Sequence, residues 1–196
     1  MLWWDEQIKE AELQARMRAL SFPNLVVYAL GCVTHAKEVL LADPPDQLQP
    51  DFFRSVEILE RVWQEFPRSL ERDWMAQAKQ EAVAIEPDHD QRVGFMFCEA
   101  ELMTAISFGM ALGAMHESSE KAVRYALGAQ DRAYIFIYQY HHELDGSCRQ
   151  EEEIREVEQS SDACQTELQF QLDFLTAIEQ LGDRTLPYSK ILDTIK

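Results

Sequence analysis

Apolar residues recur along this chain at spacings of three and four, the period of an α-helix, over nearly its whole length. The first such segment, about residues 2–20, carries Ile8, Leu13 and Met17 on an otherwise polar surface. Ser21 and Pro23 mark the start of a second, which runs to about Ala42. Serine is an N-cap residue, and a proline in the first turn lacks only an N–H that would have no helical partner. The consecutive prolines of "DPPDQLQP" form the next loop. Pro50 opens a third helix ending near Phe66, with the stripe Phe53, Val56, Ile58 or Leu59, Val62 and Trp63. Pro67 breaks the chain, Ser69 can cap a fourth helix to about Ile85, and "EPDHD" is a further loop.

The fifth segment, about residues 93–115, is apolar on most faces, with Phe97, Leu102, Ile106, Met110 and Leu112 among them. A helix apolar all round belongs in the middle of a bundle. Gly109 and Gly113 lie four apart there and make a notch that another helix can enter. A sixth helix starts at Ser118 and Glu120 and is closed near Leu144 by Asp145-Gly146. Its end, "YIFIYQYHHELDG", alternates tyrosine with bulky apolar residues as a strand would. Yet Val123, Leu127, Ala133, Ile137, His141 and Leu144 keep helical spacing, so the stretch reads as the aromatic end of a helix. Each tyrosine is then expected to bury its ring and hold its hydroxyl at a polar rim. The seventh segment, about residues 149–181, places Ile154, Val157, Ser161, Cys164 and Leu168 on a heptad seam until Gly182 stops it. Pro187 opens a short last helix, Tyr188 to Ile195. The expected fold is therefore all-α. It is a single domain over residues 1–196, a bundle of seven to eight mostly antiparallel helices. Residues 1–20 form a peripheral N-terminal helix, and residues 183–196 hold the short C-terminal one.

Charge sharpens this picture. The formal net charge is −17, with 35 acids against 18 bases. Such a chain repels nucleic acid and anionic lipid, and is suited to meeting a basic partner quickly. From Glu143 to Asp183 there are 12 acids and 2 bases, a net of −10. Glu151, Glu158 and Asp162 share one face of a continuous helix, with Glu152 and Glu156 on a neighbouring stripe. A continuous acidic face of this kind is what a basic partner would recognise. Acids at a helix N-terminus also stabilise the helix itself, so a purely solvated face is the competing reading.

Candidate chemistry changes little. Di-iron bundles need Glu-x-x-His on two helices plus a Glu from each of two others. The sequence does not supply that set, and the nearest helical fragment is the reverse, His35-x-x-Glu38. His-Glu-x-x-His, Gly-x-Ser-x-Gly and the glycine-rich phosphate loops are absent. His141, His142 and Glu143 are consecutive and fan out around a helix, so they read as a helix end rather than a metal site. Glu99 and Glu101 open the most apolar helix. Pairing with the helix dipole or Arg92 is the plain account of them, and a pocket carboxylate with a raised pKa the sharper one. Four scattered cysteines, Cys32, Cys98, Cys148 and Cys164, read as reduced core thiols. The N-terminus has acids where a signal peptide has bases, and the apolar run Leu102 to Met115 is too short for a bilayer. A cytoplasmic protein is expected, with no membrane and no nucleic acid among its partners.

Several blocks carry a resemblance. "LVVYALGCVTHAKEVLL", "SVEILERVWQEF", "EAVAIEPDHDQRVGF", "SSEKAVRYALGAQDR" and "EVEQSSDACQTELQFQLDFL" follow one another over most of residues 13–181. In order and spacing they resemble the YjaG-like bacterial proteins, the domain-of-unknown-function family 416. The resemblance implies an all-helical single domain and carries over no activity, cofactor or catalytic residue. The N-terminal "MLWWDEQ" and the tail after Gly182 are particular to this chain.

The reading that follows is a non-catalytic acidic protein, without cofactor or metal, that binds a protein partner. The most specific version is an immunity or antitoxin protein neutralising a basic toxin domain. Glu151, Glu152, Glu156, Glu158, Asp162, His141 and His142 are its candidate partner-binding residues. The alternatives are self-association into a homodimer through the heptad seam, the Gly109/Gly113 notch and "MLWW", or a small-ligand pocket around Glu99, Glu101 or His141.

Overall fold

The structure, a computed structural model, describes residues 10–44, 48–85, 96–115, 117, 119–142 and 151–195. Among them it shows nine α-helices and no strand: α1 Glu10–Ala19, α2 Phe22–Ala42, α3 Pro50–Gln64, α4 Arg72–Ile85, α5 Met96–Gly113, α6 Glu120–His142, α7 Glu151–Ser160, α8 Asp162–Leu181 and α9 Tyr188–Leu192. The all-α bundle expected from the periodicity is the fold observed.

The local signals place most boundaries. Ser21 precedes α2 in extended conformation with proline in the first turn, although its hydroxyl makes no capping bond. Pro50 and Pro187 open α3 and α9. Gly182 ends α8 at a positive φ of 60°, where a side chain would be strained. The expected Asp145-Gly146 stop and the Ser118 cap lie outside the described residues. The Ser119 hydroxyl accepts the amide of Ala122 at the start of α6.

Packing is antiparallel between α5 and α6, α6 and α8, and α2 and α8, so α2 and α6, both opposed to α8, lie parallel with their C-terminal ends together. Cys98 of α5 meets the Phe136 carbonyl of α6, and Phe108 of α5 meets Tyr125. Gln130 of α6 bonds Gln171 of α8, and His142 bonds Ser161. His35 of α2 meets Glu167 of α8, and Tyr28 stacks with Phe174. A short connection makes α5 and α6 an antiparallel pair, whereas α2 and α8 meet from distant parts of the chain.

Several expectations need correction. The inward residue of the α3 stripe is Phe52, fully buried, whereas Phe53 is 47% exposed. Ser69 does not cap α4. It sits buried in a 3-10 turn, Arg68–Leu70, where its hydroxyl donates to the Val62 carbonyl. The centre of the bundle is shared: α5 is buried on most faces as expected, but α2 is at least as central. Leu25, Val27, Tyr28, Leu30, Cys32 and Val33 of α2 are all fully buried. By length and composition α2 could cross a bilayer, which the Leu102–Met115 run could not; in the fold it packs against α5, α6 and α8.

The glycine notch is real and already filled. A Cβ on Gly109 would lie 2.4 Å from Leu30 Cδ2 of α2, and one on Gly113 would lie 2.7 Å from Met75 Cγ of α4. The missing side chains let α2 and α4 approach α5 within this chain. That removes the notch from the homodimer reading.

The segment expected to be one helix is two. Ser160 ends α7, and Ser161 adopts an extended conformation and caps α8, its hydroxyl accepting the Cys164 amide at 3.2 Å. The heptad seam therefore does not run through a continuous rod.

Candidate binding surface and adjoining cavity

α7 presents most of its acids to solvent. Glu152, Glu153 and Glu156 are exposed, as is Asp162 at the first turn of α8. No ion pair among the described residues reaches Glu152, Glu156 or Asp162, whereas Arg16, Arg18, Arg54, Arg61, Arg132 and Lys37 are each taken up by a carboxylate elsewhere. Among the described residues the strip thus keeps its negative charge. Glu151 begins the helix, and its side chain lies outside the described residues.

Glu158 does not belong to this surface. It is 0% exposed, turned inward beside Tyr134 and Cys164. It follows Ile154 by four residues, so it shares the face that α7 packs against the bundle. Burial raises the pKa of Tyr134 and of Cys164, and the nearby Glu158 carboxylate adds to both shifts. The rim placement expected for the tyrosines holds for Tyr140, whose hydroxyl donates to the Asp43 carbonyl. Tyr134 and Tyr138 are buried instead.

The two histidines part company. His142 Nε2 lies 2.6 Å from the Ser161 hydroxyl, tying the end of α6 to the break between α7 and α8. His141 faces a cavity of about 240 Å³ between α2, α6 and α8, and burial lowers its pKa. Val39, Ile137 and Ala163 give this cavity apolar walls, while His35, Asp162, Thr166 and Glu167 give it polar ones.

His35 is held from two sides. Its ring stacks on Phe170 with centroids 3.7 Å apart and planes 12° apart. Its Nδ1 lies 2.7 Å from Glu167 Oε2; a carboxylate accepts, so the proton is on Nδ1. Glu167 is 1% exposed and is satisfied on its other oxygen by the Gln171 amide at 2.7 Å. Gln171 accepts in turn from Gln130 at 2.9 Å, so a buried polar chain runs from α6 through α8 to the histidine. Local sequence patterns gave no sign of this pair, because His35 and Glu167 stand 132 positions apart.

Glu99 and Glu101 line neither this cavity nor the wider cleft between α3 and α4. Glu101 pairs with Arg132 at 2.6 Å, while Arg92 lies outside the described residues. Glu99 is buried and accepts the Gln49 amide at 3.0 Å; burial raises its pKa against that bond. The cleft between α3 and α4 carries Arg54 and Arg61, but each faces a carboxylate of its own, Asp51 and Glu81. Among the described residues no three of His, Cys, Asp and Glu are grouped to hold a metal.

Fold and surface together define an all-α bundle with an exposed acidic strip, without an ion pair among the described residues, beside a small, histidine-lined cavity. No family model, no curated protein and no solved structure matches this chain.

Proposed function

We propose that this is a non-catalytic acidic protein that binds a basic protein partner, in the manner of an immunity or antitoxin protein neutralising a toxin domain in the bacterial cytoplasm. The observation that carries the reading is the strip Glu152, Glu156 and Asp162, exposed and free of ion pairs among the described residues. Surface charges without an ion-pair partner serve to steer and select an oppositely charged surface, beyond what Glu152 and Asp162 give their helix N-termini. Kinship with the family 416 proteins is proposed alongside, on the sequence blocks quoted above.

The test is a reversal series. Wild type and a Glu152→Lys/Glu156→Lys/Asp162→Lys variant are immobilised, and proteins of the native cell are compared between the two. A basic protein retained by wild type alone is then purified and its Kd measured against both. Each reversed charge is expected to weaken binding about tenfold. Equal retention by both surfaces would overturn the proposal. Glu158 is left out of the series because a buried lysine there would damage the fold rather than the surface.

A further inference from the structure

We infer that the cavity between α2, α6 and α8 receives one basic side chain, a lysine or an arginine, of the protein partner; this rests on the reading of the acidic strip just given. The walls and the polar groups select the same occupant. Val39, Ile137 and Ala163 form an apolar sleeve, suited to the aliphatic stem of a long cationic residue. Acceptor oxygens face it beside the imidazoles of His35 and His141. His35, its Nδ1 directed to Glu167, presents the rest of its ring to the cavity. Asp162 offers a carboxylate at the exposed rim, and Thr166 a hydroxyl. No lysine or arginine lines the cavity among the described residues. A donor-rich cation on an alkyl stem complements that set.

The sign of the field agrees. One feature favours an anion: the cavity abuts the N-terminus of α8, worth about half a positive charge. The C-terminal turns of α6, from which Ile137 and His141 come, oppose it with about half a negative charge. Asp162 then adds its carboxylate at the rim. A neutral ligand would fill the sleeve but offer no charge to the Asp162 carboxylate at its rim. The receptor is also preorganised: the Phe170 stack and the buried Glu167–Gln171–Gln130 chain fix the His35 ring before anything binds.

The experiment uses the full-length protein with labelled methyl groups and three probes of similar size: n-butylguanidinium, n-butylurea and pentanoate. Saturable NMR shifts at the Val39, Ile137 and Ala163 methyls are expected with n-butylguanidinium, and affinities at least about tenfold weaker with the other two. Ala163→Leu fills the cavity from a partly exposed position, and Thr166→Leu does so from the rim. Both should abolish the shifts and weaken the protein partner about a hundredfold, with circular dichroism unchanged. No methyl shifts, or equal binding of n-butylurea, overturns the inference. If the filled variants bind the partner normally while the acid-reversal variant does not, the cavity assignment fails and the surface reading survives. If n-butylguanidinium binds yet the filled variants keep full partner affinity, the occupant is a free alkyl cation and the assignment to the partner is overturned. If the filled variants and the reversal variant all bind as wild type, the surface reading itself fails.

Discussion

Gly31 is the position where one added carbon should cost most. A Cβ there would lie 2.1 Å from Phe174 Cε1 and 2.3 Å from Cζ. The ring has no room to retreat, since Phe170 stacks on it at 5.5 Å and Tyr188 meets it edge-on at 5.6 Å. Overpacking of this kind costs about 1–3 kcal/mol, and alanine's helix propensity returns at most about 1 kcal/mol of it. Gly31→Ala should therefore lower the urea midpoint at unchanged m, and Phe174→Leu should restore part of the loss in the double variant. A midpoint at or above wild type would show that α2 and α8 are not in van der Waals contact here. Glu99 gives a second residue-scale test, with a definite sign. Burial raises its pKa in the folded state, so between the unfolded and folded values the native protein holds a proton that the unfolded chain has released. Its contribution is fully present below the unfolded value and lost as pH rises through the folded one. Glu99→Gln keeps an acceptor for the Gln49 amide but has no charge to desolvate. The variant should be more stable than wild type at pH 7, with the advantage vanishing in acid. A thermal melt series that shows the same difference at every pH contradicts this.

The break at Ser161 turns on a single hydroxyl, which accepts the Cys164 amide and meets His142. Ser161→Ala should cost about 1 kcal/mol from the cap alone, whereas Ser161→Asn should retain most of the stability, both read by denaturant midpoint. If alanine is neutral, α7 and α8 are one helix in solution. This break also shows what the amino-acid pattern could and could not reveal. Helix spans were legible because proline, serine and glycine act locally: α2 and α9 begin where Pro23 and Pro187 indicated. Ile154, Val157, Ser161, Cys164 and Leu168 keep heptad spacing straight across the break, so the period concealed it. The pair Ser161-Asp162, a cap followed by a first-turn acid, was the available signal. Glu158 was misplaced on the acidic face, although its position four residues after Ile154 was the available signal for burial. The His35–Glu167 contact was not legible, because it joins two helices through tertiary packing and leaves no trace in either helix's own period.

At the scale of the whole molecule, surplus charge and the cavity should act on different steps of one association. The net charge of −17 is carried unevenly, and the Glu152/Glu156/Asp162 strip has no ion pair within the described fold to cancel it. Long-range attraction of this kind acts before contact and decays over a Debye length of about 8 Å at physiological salt. It therefore belongs to the association rate. Steered encounters reach about 10⁸–10⁹ M⁻¹s⁻¹ at low salt and fall toward about 10⁵–10⁶ when the charge is screened or removed. A side chain seated in the apolar sleeve of Val39, Ile137 and Ala163 acts only after contact, and belongs to the dissociation rate. Stopped-flow mixing with the partner across a salt series should separate the two. Glu152→Lys/Glu156→Lys should slow association and flatten its salt dependence while changing dissociation little. Ala163→Leu should leave association and its salt slope intact and speed dissociation. An association rate indifferent to salt in wild type would remove the acidic strip from recognition, because a charge that does not respond to screening is not steering anything.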